Sequence, residues 1–310
     1  MKIGLIDVDG HNFPNLPLMK LSAWHKSRGD SVEWYSPLLS DHKDRVYMSK
    51  VFSASADFDY YIEADEIVKG GTGYAIALED GVERYDKSKD SPLPYDIEHI
   101  MPDYSLYRTD TAYGFLSRGC PRGCAFCHVK AKEGCRAYKV ADLGEFWNGQ
   151  KEICLCDPNI LACPDWRDLL DQLAKSRASV DFNQGLDIRL MTEEKAKALA
   201  KVRTKRIHFA FDRYEDKDII LPRLRTFKEH TKINTRKMTV YVLCGFDTTL
   251  EQDLERIYAI RELGFSPYVM IYNRQRLDRD DPLRILANWV NNRIVFWSCD
   301  RFENYRRSNK

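Results

Sequence analysis

Residues 117–128 read SRGCPRGCAFCH, and this stretch holds three of the nine cysteines of the 310-residue chain. The three are Cys120, Cys124 and Cys127, at the spacing CxxxCxxC. Thiolates at this spacing can wrap one loop around a soft metal centre. A structural zinc site takes four protein ligands, and a catalytic zinc site takes three with one open position. A cubane iron–sulfur cluster on three thiolates leaves one iron without a protein ligand, and that iron can bind a small molecule.

This segment resembles the cluster loop of the radical S-adenosylmethionine (radical SAM) superfamily, whose signature is CxxxCx(aromatic)C, with Phe126 at the aromatic position. In that family the three thiolates hold a [4Fe–4S] cluster, and the fourth iron chelates the amino and carboxylate groups of S-adenosylmethionine. Reductive cleavage then yields a 5′-deoxyadenosyl radical. The resemblance implies an enzyme that abstracts a hydrogen atom from a substrate and takes electrons from a donor such as flavodoxin or ferredoxin. A zinc loop or a set of buried structural thiols is the alternative interpretation.

The overall composition limits which classes of protein this chain can belong to. A chain of 310 residues can form one large or two modest domains with a sizeable core. The formal net charge of +1 gives no global attraction to nucleic acid or to a membrane. No apolar run approaches the length of a membrane span, and residues 1–7 lack the features of a signal peptide. The odd cysteine count and uneven spacing favour reduced thiols in a cytoplasmic protein over a secreted disulfide framework.

Residues 1–75 are predicted to form a small, Rossmann-like α/β domain, beginning with a buried strand at Ile3–Val8. In many radical SAM proteins a cobalamin-binding domain occupies this place. The segment Asp9–Pro14 is similar to the DxHxxG cobalamin motif, but Pro14 stands where the motif has its last glycine. The resemblance therefore implies a degenerate domain of this type, with bound cobalamin as the less favoured alternative and His11 as an ordinary loop residue.

Residues 76–111 are interpreted as a linker, and residues 112–273 alternate strand and helix six times. Such alternation indicates parallel strands with crossover helices. Thr192 is predicted to cap one helix, and Thr248 with Glu251 has the spacing of a capping box before another. The periodicity indicates an α/β domain, and the resemblance implies a partial (βα)6 TIM-type barrel. The predicted strands are 113–117, 152–156, 180–185, 207–212, 238–244 and 267–272.

In parallel α/β barrels the chemistry lies at the carboxyl ends of the strands. Many radical SAM proteins carry Gly-Gly-Glu after the second strand to receive the methionine amino group. This chain lacks it, and the resemblance assigns that part to Asp157 or Asn159. A helix cap or a salt bridge is the alternative role for each single residue in this group. The candidates at the third and fourth strand ends, for the ribose, the carboxylate or the substrate, are Gln184, Asp187, Arg189 and Asp212.

Two further cysteines, Cys156 and Cys244, lie near predicted strand ends. Either can donate a hydrogen atom to a substrate radical, as a cysteine does in some radical SAM epimerases. The alternative interpretation, a buried small apolar residue, is favoured for both.

Residues 274–310 form a basic and aromatic extension with nine Arg or Lys against five Asp or Glu. Such a segment can bind nucleic acid through phosphate contacts and stacking. The spacing of Leu283, Leu286, Trp289 and Val290 favours a packed helix, followed by a frayed basic end at 305–310. The substrate class expected is RNA or a peptide. The rival functions are a cobalamin-dependent radical methylase and a non-catalytic iron–sulfur or zinc module that recognises RNA or a protein partner.

Overall fold

A computed structural model describes residues 1–79 and 82–305, so most of the predicted basic end lies outside the described residues. The chain divides into two compact units, residues 1–154 and residues 155–310, referred to below as unit 1 and unit 2. Every helix in the described part is too short or too polar to cross a membrane.

The described residues of unit 1 form ten strands and four helices, and the last strand ends just past the unit boundary. The strands are β1 (Lys2–Asp7), β2 (Ser31–Trp34), β3 (Lys43–Ser49), β4 (Ala64–Gly70), β5 (Ile76–Glu79), β6 (Val82–Tyr85), β7 (Thr111–Gly114), β8 (Ser117–Arg118), β9 (Tyr138–Lys139) and β10 (Glu152–Leu155). The helices are α1 (Leu16–Ser27), α2 (Thr72–Ala75), α3 (Tyr95–Glu98) and α4 (Val129–Glu133).

Unit 2 alternates helices and strands and ends in two helices. Its elements are α5 (Trp166–Ser176), β11 (Ser179–Leu186), α6 (Glu193–Lys201), β12 (Thr204–Ala210), α7 (Lys217–His230), β13 (Met238–Cys244), α8 (Leu250–Glu262), β14 (Ser266–Ile271), α9 (Pro282–Asn291) and α10 (Arg293–Ser298).

The first strands build a four-stranded parallel sheet in the order β2-β1-β3-β4. The apolar run of β1 is buried, because Ile3 and Leu5 pack with Leu18 and Leu21 of α1. Asn15 caps α1 by accepting a hydrogen bond from the Leu18 backbone N–H at 3.3 Å. Residues 76–111, interpreted as a linker, contain the β5–β6 hairpin and α3.

The second sheet has six strands in the order β14-β13-β12-β11-β10-β7, and each predicted strand of the core corresponds to one of them. The pairs β11–β12, β12–β13 and β13–β14 are parallel, as the alternation with helices requires. The prediction of an α/β fold is confirmed. Closure of this sheet into a partial barrel stays a prediction.

The helix caps of unit 2 confirm one sequence prediction and correct another. Thr192 caps α6, with its hydroxyl accepting from the Lys195 N–H at 3.2 Å. The capping box of α8 is Thr249 with Gln252, one residue later than the predicted pair. Thr248 is not available for capping, because its hydroxyl donates to the buried Asp253 carboxylate at 2.6 Å.

Arg256 of α8 is fully buried and ties together the carboxyl ends of two neighbouring strands. Its guanidinium donates to the carbonyl oxygens of Asp212 and Leu243, each at 2.8 Å, and also to that of Phe211. The Asp253 carboxylate, also fully buried, is its ion-pair partner. Carbonyls at strand ends have no ladder partner, so this guanidinium satisfies groups that burial would otherwise leave unpaired.

Replacing Arg256 with Met is expected to lower the free energy of unfolding by about 3–5 kcal/mol, because a buried carboxylate loses its ion-pair partner and three carbonyls lose a donor. Urea denaturation of the variant measures the change. The double variant Arg256→Met/Asp253→Leu is the control, since it removes both charges and should recover part of the loss. A single variant as stable as the wild type would contradict this role.

Candidate functional site

The three motif cysteines lie on a loop of unit 1 that is closed at its base. Strands β8 and β9 pair antiparallel, with Ser117 opposite Lys139, and so bring the two ends of the loop together. The Glu133 carboxylate adds a second closure, because it accepts from the Arg118 guanidinium at 2.8 Å and from the Gly119 N–H at 2.9 Å. Both are charge-assisted hydrogen bonds, so the loop is held where the motif begins.

Gly119 is the residue at which this closure depends on glycine. Its φ is +77°, and a Cβ built there would lie 2.1 Å from the Arg136 carbonyl oxygen. The second motif glycine, Gly123, has an ordinary φ, and its nearest such neighbour is the Lys130 Nζ at 3.5 Å. The backbone therefore requires glycine at the first of these positions and tolerates a side chain at the second.

The motif cysteines differ in exposure: Cys120 and Cys124 are half-buried, and Cys127 is exposed. The Cys127 N–H donates to the Cys124 carbonyl at 3.1 Å, and Phe126 is half-buried between them. In donor chemistry and spacing, these thiols fit an iron–sulfur ligand set. Across residues 1–79 and 82–305, however, no three His, Cys, Asp or Glu side chains are grouped so that they could hold a metal ion.

A cavity of about 920 Å³ in unit 1 adjoins both flanks of the cysteine loop, through Arg118 before it and Lys132 after it. Lys132 Nζ donates to the Thr72 hydroxyl, and burial lowers the pKa of the Lys132 ammonium, an effect that Asp90 partly offsets. On the wall formed by α1, Lys20 pairs with Glu98 at 2.9 Å. The cysteine loop therefore borders a space large enough for an organic ligand.

Sequence reasoning missed this cavity. Its wall combines residues of α1, the β4–α2 turn, α3 and the loop, which are far apart along the chain. One residue of the cavity wall lies close to the motif in the sequence. Lys132 follows Cys127, the last motif cysteine, by little more than one helical turn.

In unit 2 the predicted polar residues occupy different environments. Asp157 and Asn159, after β10, are almost fully buried. Gln184 is exposed at an irregularity of β11, where the pairing register with β12 shifts and Gly185 adopts a φ of +90°. Bulges of this kind re-aim side chains and are common next to active sites.

The side chains of Asp187 and Arg189 bind each other. The Asp187 carboxylate accepts from the Arg189 backbone N–H at 3.2 Å and from its guanidinium at 2.8 Å. Arg189 also pairs with Asp216 at 2.5 Å. The capping and salt-bridge roles considered for these two residues are thus both present.

Asp212 follows β12 and carries a carboxyl whose pKa is perturbed by burial. Burial raises the pKa of its carboxyl from the ordinary 3.8 to about 6, although the Arg256 guanidinium pulls it in the opposite direction. Such a group holds a proton under mildly acidic conditions and is charged above pH 7. It is therefore a candidate proton donor or acceptor.

The two cysteines proposed as hydrogen-atom donors are not equivalent. Cys156 is half-buried at the end of β10. Cys244 is fully buried, its thiol donates to the Val242 carbonyl at 3.6 Å, and burial raises the pKa of the thiol. This environment matches the favoured interpretation of Cys244 as a packed core residue.

Sequence reasoning also missed a polar row on one face of the unit 2 sheet, formed by Asp181, His208, Tyr241 and Tyr268. The His208 and Tyr241 rings stack with centroids 4.9 Å apart, and the Tyr268 ring meets Tyr241 edge-on at 5.8 Å. His208 Nε2 lies 3.8 Å from the buried Asp181 carboxylate, and burial lowers the pKa of the His208 ring. The sequence did contain a signal for this row, because polar residues alternate in β12 with the buried Ile207 and Phe209.

His11 of the cobalamin-like motif packs among aromatic rings. Its ring stacks on Trp34 with centroids 4.1 Å apart and meets Tyr107 edge-on at 5.8 Å. These contacts match the interpretation of His11 as a loop residue rather than as a metal ligand.

No protein-family model matches this chain, and no curated protein matches it. The functional assignment therefore rests on the residues and geometry described above.

Replacing Gly119 with Ala is expected to destabilise unit 1 by about 1–3 kcal/mol, because the methyl group meets a carbonyl oxygen at a backbone angle that disfavours side chains. The matched control is Gly123→Ala, which introduces the same methyl group four residues later without either conflict. Thermal unfolding followed by circular dichroism compares the two. Equal midpoints for both variants would contradict the closed-loop geometry.

Replacing Asp212 with Asn is expected to stabilise the protein at pH 8 and to have little effect at pH 4. A pKa raised in the folded state means that stability falls as the pH rises from about 4 to about 6 and stays low above that range. The gain at pH 8 should be about 2–3 kcal/mol, the equivalent of the pKa difference. Urea denaturation at both pH values tests this, with the exposed Asp218→Asn as control. A wild-type pH profile in the Asp212 variant would refute it.

Proposed function

We propose that this protein is a radical SAM enzyme, in which Cys120, Cys124 and Cys127 hold a [4Fe–4S] cluster that binds S-adenosylmethionine at its open iron. The observation that carries the proposal is the CxxxCx(aromatic)C motif on a loop closed by the β8–β9 pair and by Glu133. Three soft thiols on a pre-closed loop are the ligand set that such a cluster needs. An oxygen-sensitive cluster and reduced thiols also favour a cytoplasmic location.

A cluster held there would pass one electron from the donor protein to S-adenosylmethionine, giving methionine and a 5′-deoxyadenosyl radical able to take a hydrogen atom from an unactivated C–H bond. The chain's own part is to position ligands and exclude water. Glu133 and Gly119 keep the loop closed at its base, and Phe126 stands at the aromatic position of the motif. The cavity of about 920 Å³ offers an organic substrate a place beside that loop.

The strand ends of unit 2 are proposed to contact S-adenosylmethionine and the substrate. Asp157 or Asn159 takes the part that Gly-Gly-Glu plays in many radical SAM proteins. Gln184, on the β11 irregularity, is exposed and able to hydrogen-bond a ribose or a substrate. Arg189 is already paired with two carboxylates, so its part in this proposal is to orient Asp187. Asp212, with its raised pKa, is the residue suited to hold a proton.

The proposed substrate class is RNA or a peptide, and the electron donor is a flavodoxin or a ferredoxin. Radical methylation with cobalamin is the weaker alternative, because Pro14 interrupts the motif and the His11 ring is stacked on Trp34. A non-catalytic iron–sulfur or zinc module remains the rival from another class. The specific observation in its favour is the absence of Gly-Gly-Glu after β10.

The decisive experiment is anaerobic. The protein is reconstituted with iron and sulfide, reduced with dithionite, given S-adenosylmethionine and assayed for 5′-deoxyadenosine. We expect product from the wild type and complete loss of both cluster iron and product in Cys124→Ala, because the cluster loses one of three ligands. The matched control is Cys135→Ala, which removes an exposed thiol just outside the motif and should leave both intact.

The rival functions give different results in the same preparation. Zinc in place of iron would indicate a zinc module, and a full cluster without any S-adenosylmethionine cleavage would indicate a non-catalytic iron–sulfur module. A cobalt absorption spectrum after reconstitution with cobalamin would support the methylase. Full iron loading and normal cleavage in Cys124→Ala would overturn the assignment.

A further inference from the structure

A small cleft in unit 2 has a chemistry that the cluster proposal does not use. It occupies about 270 Å³ and lies between the turn at Arg274–Arg276 and helix α9. Among the described residues, those that line the cleft carry no carboxylate. It is lined by Arg274, Arg279, Arg284 and Asn288.

Arg284 is held in place by the backbone around it. Asp281 caps α9 by accepting from the Leu283 N–H at 2.8 Å, which fixes the start of the helix. Arg284 and Asn288 are four residues apart on α9 and therefore lie on one face. The Arg284 Nη2 donates to the Arg274 carbonyl at 2.8 Å, so the helix and the preceding turn are joined at the cleft.

The opposite face of α9 anchors it to the unit 2 core. Leu286 and Trp289 are fully buried, which confirms the packed helix predicted for this segment. Asn291 exchanges hydrogen bonds with the Val269 backbone of β14, at 2.7 and 3.0 Å. The cleft is therefore part of a fixed surface and not of a loose basic tail.

One side chain that lines the cleft has an unused hydrogen-bond donor. Within the part of the chain that the structure describes, the Nε–H of Arg284 is buried and has no hydrogen-bond partner. The guanidinium groups of Arg274 and Arg284 also bring like charges to one small cleft. A ligand with negative charge and several acceptor oxygens reduces the repulsion between these two groups.

We propose that this cleft binds a phosphate group of a polynucleotide strand, the backbone of an RNA. Guanidinium groups match the oxygen geometry of phosphate, and three of them converge here. The lining residues that the structure describes offer no aromatic side chain on which a base could stack and no carboxylate that could recognise a ribose hydroxyl. Such a site contacts charge alone, which is how proteins hold the backbone of a nucleic acid strand without reading its sequence.

The test is binding of a fluorescent single-stranded RNA oligonucleotide, measured by anisotropy over a range of salt concentrations. Arg284→Ala and Arg274→Ala should each weaken binding about tenfold, since a charge-assisted contact is lost. Each should also reduce the slope of log K against log salt by about 0.7. Arg284→Lys, which keeps the charge and loses the planar fork, should fall between wild type and alanine.

The matched control is Arg225→Ala, which removes the same charge from an exposed site on α7. If this control weakens RNA binding equally, the attraction is general to a basic surface, and the proposed phosphate site at the cleft is overturned. Arg274 is exposed, so its variant keeps the test valid even where Arg284→Ala unfolds the protein.

Competitors separate the sources of the phosphate. Displacement of the RNA by a second oligonucleotide but not by a polyglutamate peptide supports the proposal, and equal displacement by polyglutamate overturns it. Tight binding of adenosine monophosphate without RNA binding would overturn the polynucleotide assignment. The proposal does not depend on the cluster, because Cys124→Ala should bind RNA as the wild type does. Failure here therefore leaves the radical SAM assignment untouched, and the reverse also holds.

Discussion

Charged side chains that satisfy backbone groups at the ends of strands hold both candidate regions in place. In unit 1 the Glu133 carboxylate accepts the Gly119 N–H at the start of the cysteine loop. In unit 2 the Arg256 guanidinium donates to carbonyls that end β12 and β13. Irregular backbone is costly to bury unless its polar groups are paired, and an ionised partner makes the stronger bond. These two side chains therefore help to fix the positions of the motif loop and of the segment that carries Asp212.

Much of the fold could be predicted from local patterns. The six strands of the second sheet were visible as apolar runs separated by helical segments, and Thr192 was recognisable as a cap from its position alone. The capping box at α8 was misplaced by one residue, because Thr248 is engaged by a carboxylate whose burial no local pattern reveals. Periodicity reports what a residue does within its own helix or strand, and it carries little information about partners elsewhere in the chain.

The candidate sites likewise include features that a local sequence pattern shows and features that only the folded structure shows. The cysteine motif is a contiguous signal, so its three residues were identified from the sequence at once. The wall of the cavity beside it includes Lys20 and Lys132, which are more than a hundred residues apart, and no spacing rule connects them. The polar row through His208 and Tyr241 spans strands whose register only the folded sheet defines. A net charge of +1 likewise conceals a cleft lined by three arginines, because the sum over the chain says nothing about where charges meet.

The closure of the cysteine loop has a consequence for how the protein matures. Strand pairing and the Glu133 contacts join the two ends of the loop through protein groups alone, whereas in small zinc domains the metal itself drives folding. Assembly of the proposed cluster would therefore be uncoupled from folding, and its last motif cysteine, Cys127, is exposed. Under this proposal, iron delivery would be a separate step that a cell could supply, delay or repeat on a polypeptide that is already folded.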